Sequence, residues 1–179
     1  MKFRETDLSG VIIVEPDVLR DPRGFFLETF HAKRYRDGGI PFDFVQDNHS
    51  RSVRGTLRGL HAQRVRPQGK LVRAVRGEIF DVAVDIRPGS KTFGRSVSAV
   101  LSEENFRQLF VPPGYAHGFC VTSETAEVEY KCTDFYDKSD ELGVRWDSAG
   151  IQWPIREPLL SAKDAVLPPL ADLRKQLES

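Results

Sequence analysis

The residues best suited to acid–base chemistry lie in one stretch of the chain, Val53–Arg87, which contains Arg58, His61 and Lys70. A neutral histidine accepts protons near physiological pH, and a carboxylate on its other ring nitrogen fixes its tautomer and basicity. Asp164 is a candidate carboxylate, although it lies far away in sequence. Taken alone, His61 also fits a hydrogen-bonded structural histidine, and the two cations also fit a solvated surface.

The strands that hold these side chains must also build a core. Apolar residues alternate with polar ones over Gly77–Ile86, where Phe80, Val82, Val84 and Ile86 share one parity. This period-two spacing, rich in β-branched residues, predicts a half-buried strand. Ionisable residues on core-building strands are typical of a β-barrel that presents chemistry to its interior.

Gly59 interrupts the strand that carries Arg58 and His61. Those two positions have opposite parity, so a regular strand would point them to opposite faces. Glycine inside a strand often marks a bulge, and a bulge shifts the parity. Two alternatives therefore stay open: a regular strand that separates the two side chains, or a bulged strand that turns both toward one cavity.

The N-terminal part is predicted to begin with a polar lead-in over residues 1–9. A Val11–Glu15 strand follows, then a turn at Asp21–Gly24, where proline fixes φ and glycine tolerates positive φ. The next strand is predicted over Phe25–Phe30. Together, the two strands are expected to leave an exposed sheet edge of the kind that proteins pair or cover.

Short strands separated by tight turns are expected through most of the remaining chain. They are predicted at Phe42–Asn48, Arg95–Leu101, Arg107–Val111, Gly118–Thr122, Ala126–Asp134 and Gly143–Trp146. Short helices are expected at His31–Asp37 and Ala171–Leu177. The pattern predicts an all-β fold, an antiparallel sandwich or barrel of the jelly-roll type with short peripheral helices, in a single domain of residues 1–179.

Composition excludes several classes of function. With 26 basic and 26 acidic residues, the chain lacks the basic surplus of a nucleic-acid binder. The apolar run Val11–Val14 is too short to span a bilayer, so no membrane contact is expected. Two cysteines, Cys120 and Cys132, indicate a reducing compartment rather than a disulfide framework, and the protein is expected to be cytoplasmic.

Metal and phosphate-loop chemistry are both disfavoured. His61, Gln63 and His117 occupy places where cupin barrels carry metal ligands, but an amide is a poor ligand for the transition metals that such sites hold. No metal is therefore expected. Gly69-Lys70 lacks the upstream glycine and the following Ser or Thr of a P-loop.

Many motifs, in order from about residue 10 to 170, together resemble the dTDP-4-dehydrorhamnose 3,5-epimerase family. They are Arg23-Gly-Phe-Phe, Phe44-Val-Gln-Asp-Asn-His-Ser, Leu57-Arg-Gly-Leu-His, Gln68-Gly-Lys-Leu-Val-Arg, Gly77-Glu-Ile-Phe-Asp, Phe110-Val-Pro-Pro-Gly-Tyr-Ala-His, Tyr130-Lys and Leu160-Ser-Ala-Lys-Asp-Ala. The resemblance implies a cofactor-free cupin barrel that forms homodimers and binds a dTDP-sugar. It also implies inversion at C3 and C5 of dTDP-4-dehydro-6-deoxy-D-glucose.

The resemblance also assigns roles to residues. It implies that His61 is the base, Asp164 its orienting partner, Lys70 the cation beside the developing enolate oxygen, and Tyr130 the proton donor on the opposite face. Residues that it implies for substrate binding are Arg23, Phe26, Glu28, Gln46, Asn48, Arg58, His117, Tyr136, Glu141 and Lys163. Tyr136 resembles the aromatic residue that stacks on thymine.

Two positions depart from the family pattern, and three other functions stay open. Ala62 stands where the family commonly has an aromatic residue, and Glu129 where it has an apolar one. A widened pocket would alter the preferred sugar.

The alternatives are a mono-epimerase for C3 or C5 alone, a non-catalytic cupin that binds a nucleotide sugar, and a metal-dependent oxygenase, which Gln63 disfavours.

Overall fold

The computed structural model describes residues 1–178; Ser179, the end of the predicted domain, lies outside the described residues. No helix in this part of the chain is both long and apolar enough to cross a membrane. The strands are β1 (Lys2–Glu5), β2 (Ile12–Glu15), β3 (Val18–Asp21), β4 (Gly24–Leu27), β5 (Gln46–Val53), β6 (Leu57–Gln63), β7 (Lys70–Arg76), β8 (Glu78–Asp85), β9 (Ser96–Ser102), β10 (Gln108–Val111), β11 (Tyr115–Val121), β12 (Thr125–Cys132) and β13 (Glu141–Gly143). The helices are α1 (Ala32–Asp37) and α2 (Leu170–Glu178), with a 3₁₀ turn at Asp164–Val166.

Two antiparallel sheets form the body of the fold. One has the strand order β1-β2-β10-β7-β12-β5 and the other the order β13-β6-β11-β8-β9, while β3 and β4 form a separate hairpin. From β5 to β8 and again from β9 to β12, successive strands alternate between the two sheets. Such crossing connections are typical of a jelly roll. They confirm the predicted all-β barrel with short peripheral helices.

An apolar cluster fills much of the space between the sheets. Val72 and Val128 come from the six-stranded sheet, and Ile79, Ala83 and Phe119 from the five-stranded sheet. Each is buried. Burial of apolar surface is the main favourable contribution to folding, so this cluster holds the two sheets together.

The prediction of a half-buried strand after Gly77 is wrong, because β8 is buried on both faces. Ile79 and Ala83 point into the barrel, whereas Val82 and Val84 point outward. The outward residues are covered by Leu173 of α2 and other C-terminal residues. Period two identifies a strand, but it does not show that a distant segment covers the second face.

The predicted N-terminal edge is also wrong in part. Lys2–Glu5, expected in a polar lead-in, forms the edge strand, and β2 lies between β1 and β10. The strand expected over Phe25–Phe30 ends at Leu27 and pairs with β3 across the predicted turn. This hairpin carries exposed apolar side chains, including Phe26.

Other predicted elements agree with the structure apart from their ends. Both short helices are confirmed, and His31 caps α1 by accepting a hydrogen bond from the backbone N–H of Arg34. The strand expected from Phe42 begins only at Gln46, and the one expected from Gly143 ends there instead.

Gly59 forms a bulge, which decides between the two alternatives left open by the sequence. Arg58 lies opposite Phe119 and His61 opposite His117, so β6 uses one more residue than β11 over this interval. Gly59 has a φ of +117°, and a Cβ there would lie 2.6 Å from the Cα of Gly118. Only glycine fits so close an approach of two backbones at positive φ.

Candidate active site

Polar side chains line a cavity of about 440 Å³ inside the barrel, which adjoins a second lobe of about 330 Å³. Four residues border both lobes: His61 of β6, Lys70 of β7, Tyr130 of β12, and Lys163 just before the 3₁₀ turn. Arg58 lines the larger lobe as well, so the bulge turns it and His61 toward one cavity. The structure thus brings the four predicted catalytic residues together, since Asp164 also borders the larger lobe.

A short hydrogen bond joins His61 to Asp164. The distance between His61 Nε2 and Asp164 Oδ1 is 2.6 Å, and Asp164 is only 3% exposed. Burial alone would raise the pKa of Asp164, but hydrogen bonds from His61, Ser161 and the backbone of Gly59 hold that pKa below its ordinary value. No other group among residues 1–178 bonds the imidazole, so Nδ1 is available to a ligand.

The carboxylate reaches the barrel because an irregular C-terminal segment is hydrogen-bonded along β6. The N–H of Leu57 donates to the carbonyl of Leu159 at 3.0 Å, and the N–H of Leu159 donates to the carbonyl of Gly55 at 2.8 Å. The backbone N–H of Asp164 then donates to Ser161 Oγ at 3.0 Å. These bonds fix the segment and place Asp164 against the histidine.

Lys70 begins β7 and points into the cavity. Removal from bulk water lowers the pKa of its ammonium group, and nearby Cys132, Glu141 and Asp81 oppose that change. Within the described part of the chain, no acceptor forms a hydrogen bond with Nζ. The Lys70 side chain is therefore a donor without a partner among the described residues, open to a ligand oxygen.

Tyr130 lies on β12, directly opposite Asn48 of β5 and Val72 of β7. Burial raises the pKa of its phenol, so the group stays protonated near neutral pH. No partner for its hydroxyl occurs among residues 1–178. The hydroxyl is thus protonated and available to donate to a ligand.

Asp81 is a site residue that the sequence analysis missed. His117 Nε2 lies 2.8 Å from Asp81 Oδ1, and both side chains are buried. Burial raises the pKa of Asp81, and the contact with His117 opposes that rise. The sequence signal that could have identified Asp81 is its position on β8, which has the same parity as the inward-facing Ile79 and Ala83.

Polar residues continue from the floor to the mouth of the cavity. Arg58 Nε donates to Ser52 Oγ at 3.0 Å, which leaves its terminal nitrogens without a partner in the described structure. Gln46 Nε2 donates to Asn48 Oδ1 at 3.1 Å. These contacts confirm that Gln46 and Asn48 share the inward face of β5.

At the mouth, Tyr136 Oη donates to Glu141 Oε2 at 2.7 Å, and Lys163 binds the other oxygen of that carboxylate. Burial acts to raise the pKa of Glu141, but these two hydrogen bonds hold it below the ordinary value. The ring of Tyr136 is 51% exposed. A flat aromatic surface is therefore fixed in solvent beside the cavity.

Three predicted binding residues lie away from this cavity. Arg23 and Phe26 belong to the β3–β4 hairpin, where the Arg23 side chain is 91% exposed and bonds Asp21 at 2.6 Å. Glu28 follows the hairpin and pairs with Arg34 at 3.1 Å. Within this one chain, the fold does not bring them to the barrel interior.

Both ends of the Gln63 side-chain amide form hydrogen bonds with backbone groups. Nε2 donates to the carbonyls of Arg66 at 2.8 Å and Phe135 at 3.2 Å, and Oε1 accepts from the N–H of Asp137 at 2.8 Å. Residues 1–178 contain no cluster of three or more His, Cys, Asp or Glu side chains with metal-binding geometry. The absence of a functional metal stays a prediction.

The two departures from the family pattern have different positions. Glu129 lies on the outer face of the sheet, where it pairs with Arg73 at 2.6 Å, so it does not shape the cavity. Ala62 borders the smaller lobe, beside Gln63. Ala62 also packs with the outer apolar cluster that contains Val82 and Val84.

A jelly-roll barrel that holds an oriented histidine, a protonated tyrosine and unpaired cations in one cavity defines a class of enzyme that moves protons on an anionic substrate. Residues 5–172 match the family model described as dTDP-4-dehydrorhamnose 3,5-epimerase. The chain therefore belongs to the dTDP-4-dehydrorhamnose 3,5-epimerase family, whose members are isomerases with a cupin-type jelly roll.

Individual relatives agree with this assignment. The dTDP-4-dehydrorhamnose 3,5-epimerase of Methanothermobacter thermautotrophicus is 49% identical, over 96% of this chain and 95% of its own. The crystal structure of the 3,5-epimerase of Legionella pneumophila, in complex with dTDP-4-keto-L-rhamnose, has a TM-score of 0.94 and 48% identity, covering 98% of this chain and 96% of that one. A dTDP-4-dehydrorhamnose 3-epimerase of Streptomyces niveus is 39% identical, over 97% and 86% of the two chains.

The first prediction concerns Asp164→Asn and stability. Because the native pKa of this carboxylate is lowered, its ionised form stabilises the fold above its ordinary pKa of 3.8, and that contribution is lost as the pH falls through the native value. At pH 7 the variant should therefore be less stable by about 1.5–3 kcal/mol, as for other hydrogen bonds to charged groups. Urea unfolding between pH 7 and pH 3 measures the difference, which should shrink below about pH 4.

Asp47→Asn is the control, because Asp47 is exposed and its ion pair with Lys131 lies in solvent. Its effect at pH 7 should stay below about 1 kcal/mol. If wild type still exceeded Asp164→Asn by the same free energy of unfolding at low pH, the account would be contradicted.

Proposed function

We propose that the protein converts dTDP-4-dehydro-6-deoxy-D-glucose to dTDP-4-dehydro-L-rhamnose by inverting C3 and C5, in dTDP-L-rhamnose biosynthesis. The observation that carries the proposal is one cavity bordered by the His61–Asp164 pair, Lys70 and Tyr130. The relatives named as 3,5-epimerases support the same reaction. The substrate's 4-keto group acidifies the protons on the two neighbouring carbons, so a base and an acid on opposite faces suffice for inversion.

His61 is the proposed base. Nδ1 is the nitrogen available to the substrate, since Nε2 bonds Asp164. The carboxylate fixes the tautomer and stabilises the imidazolium that forms when the proton is taken. A positioned base of this kind contributes about 10²–10⁴ in rate.

Lys70 is the proposed partner of the enolate oxygen. A desolvated ammonium placed where negative charge develops stabilises the transition state more than the ground state. The other unpaired cation, Arg58, is better suited to the pyrophosphate, because a guanidinium binds phosphate through two parallel hydrogen bonds.

Tyr130 is the proposed acid on the opposite face. Its pKa is raised by burial, so the phenol carries its proton at neutral pH and can deliver it to the carbanion. Removal by His61 and delivery by Tyr130 from the other side invert the carbon. Each carbon requires one such cycle, with the sugar turned so that the second C–H faces the base.

The remaining predicted residues are proposed to hold the nucleotide. His117 is oriented by Asp81 and borders the larger lobe near Arg58, where it can bind the pyrophosphate or sugar. Gln46 and Asn48 offer amides to the sugar or nucleoside. Tyr136 presents a fixed ring on which thymine can stack, with Glu141 and Lys163 holding its edge.

We also propose that the protein is a homodimer that completes each site with the partner's hairpin. Arg23, Phe26 and Glu28 lie outside the cavity of their own chain, and Phe26 is 70% exposed. An exposed apolar ring beside an exposed guanidinium suits a surface that is covered on assembly and reaches a phosphate there. The reaction needs no cofactor or metal, and the two free cysteines fit a cytoplasmic protein.

The second candidate is a mono-epimerase that inverts one carbon only. The 3-epimerase of Streptomyces niveus, at 39% identity, favours keeping this alternative. Ala62, which borders the smaller lobe and replaces the family's common aromatic residue, is a position at which the two reactions can be compared. A protein that only binds nucleotide sugars is the weaker candidate, because binding requires no base–acid pair.

The second prediction is the product in D₂O. With dTDP-4-dehydro-6-deoxy-D-glucose as substrate, NMR should show inversion and deuterium at both C3 and C5, since each inversion removes a carbon-bound proton and delivers one that exchanges with solvent. Inversion and deuterium at a single carbon would identify a mono-epimerase. Tight binding of dTDP without any conversion would identify a non-catalytic binder.

The third prediction tests the shared site by mixing two inactive variants, Arg23→Ala and His61→Asn. In a mixed dimer, the barrel with an intact His61 receives an intact Arg23 from its partner. If dissociated subunits reassociate at random, about a quarter of wild-type activity should return, because half of the dimers are mixed and each has one complete site. The Tyr130→Phe and His61→Asn pair is the control, with both changes in barrel residues. In that mixed dimer each barrel lacks one of its own residues, and only a Tyr130 that crossed between subunits could complete one. No activity should therefore return.

Two results would contradict the shared site. Sedimentation showing a fully active monomer would exclude it. Mixed dimers that stay inactive would place Arg23 in its own chain's site.

A further inference from the structure

Gln63 is a buried polar residue of the barrel that has no role in the proposed reaction. It ends β6 two positions after His61, and it is only 5% exposed. A buried carboxamide costs free energy unless its donors and acceptor are all bonded. Here each of them is bonded, and all three partners are backbone groups in two loops.

The partners of Gln63 flank Tyr136 on both sides. Its Nε2 donates to the carbonyl of Phe135, and its Oε1 accepts from the N–H of Asp137. A second amide holds the residue between them, because Gln46 Oε1 accepts from the N–H of Tyr136 at 2.9 Å. Two glutamines thus fix three successive residues.

Individual hydrogen bonds order the loop that carries Tyr136. Residues 133–140 form no helix or strand, and Phe135 and Tyr136 are more than half exposed. A loop without regular hydrogen bonding depends on such contacts for its shape. Asp140 accepts from the N–H groups of Val65 and Arg66, Gln68 donates to the carbonyl of Asp134, and Tyr136 Oη donates to Glu141. Among these contacts, the two glutamines bind the backbone of residues 135–137, next to the ring.

We propose that Gln63 is a positioning residue for the nucleotide subsite: it fixes the backbone on both sides of Tyr136 and so sets affinity for the thymidine part of the substrate. The inference rests on the proposed function in one respect, namely that Tyr136 contacts the base. Gln63 touches neither the reacting carbons nor the catalytic groups. It acts through Tyr136, and its amide is needed because the loop offers it both acceptors and a donor.

The chemistry of the contact selects the variants. Gln63→Glu has nearly the same shape, but a carboxylate cannot donate to the carbonyls of Arg66 and Phe135 and is repelled by them. Gln63→Met keeps the length and removes every hydrogen bond. Gln152→Glu is the control for added negative charge, because Gln152 is exposed and lies in the irregular segment after Gly150.

The closing experiment measures dTDP binding by calorimetry, together with kcat and KM. Both Gln63 variants should bind dTDP at least about 10-fold more weakly, within the range for losing one base–aromatic stack. Their kcat at saturating substrate should stay within about 3-fold of wild type, since the catalytic groups are untouched. In a Tyr136→Ala background, Gln63→Glu should weaken binding by less than about 2-fold further, because the stack that it positions is gone.

Amide hydrogen exchange on the ligand-free wild-type protein tests the anchor without any variant. The N–H groups of Tyr136 and Asp137 should be protected, although they lie in an irregular loop, whereas the exposed N–H of Lys138 should exchange quickly. The hydrogen-exchange result does not depend on whether the protein is an epimerase.

Three outcomes would overturn the proposal. These are unchanged dTDP affinity in a folded Gln63→Glu protein, an undiminished effect of Gln63→Glu in the Tyr136→Ala background, and unprotected Tyr136 and Asp137 amides. A wild-type protein that binds dTDP with the expected dependence on Gln63 but converts no substrate would instead overturn the proposed function alone.

Discussion

The hydrogen bond between His61 and Asp164 is the interaction on which the site depends. It joins residues 103 positions apart, one on a central barrel strand and one in an irregular segment. A buried carboxylate is costly without a partner, so the segment before Asp164 must be held against β6. The backbone bonds of Leu159 and the bulge at Gly59 meet that requirement, and together they turn the histidine and Arg58 toward the same space.

The other buried polar groups divide into those that the protein satisfies and those that it leaves open. Gln63 bonds two loops with its whole amide, and Asp81 orients His117 through Oδ1, although its Oδ2 has no partner within the described residues. Lys70 and Tyr130 are half-buried in the cavity, yet they have no partner in the described structure. Desolvated donors without partners lower stability unless a ligand binds them, so they mark where a substrate oxygen and a substrate carbon are expected. Stability and function therefore make opposite demands on neighbouring side chains of one cavity.

Much of this could be predicted from the sequence, for identifiable reasons. Alternation and turn residues predicted the jelly roll, and glycine's tolerance of positive φ made a bulge at Gly59 one of two open choices. The family resemblance singled out His61 and Asp164 despite their separation. Periodicity could not reveal that α2 covers the outer face of β8, because that contact depends on tertiary packing.

Other features were hidden because a residue type does not specify its partner. Asp81 looked like one more polar residue on an alternating strand, and only the register with β11 brings it to His117. The sequence interpretation of Gln63 considered only metal binding, whereas two of its three hydrogen bonds run to a loop more than seventy positions downstream. Arg23 carries a guanidinium, a group suited to phosphate, yet it lies outside the barrel of its own chain.

The central claim is that His61 removes a proton from one face and Tyr130 returns one from the other. Tyr130→Phe tests it directly, because the change keeps the ring and its packing but removes the hydroxyl. In D₂O the variant should still exchange a carbon-bound proton of the substrate, since His61 can return deuterium to the same face, while inverted product falls by roughly 10²–10⁴. His61→Asn should lose both exchange and inversion. Mass spectrometry of recovered substrate measures exchange, and NMR of the product measures inversion. Two results would contradict the account: inversion by Tyr130→Phe at the wild-type rate, or loss of exchange along with inversion in that variant.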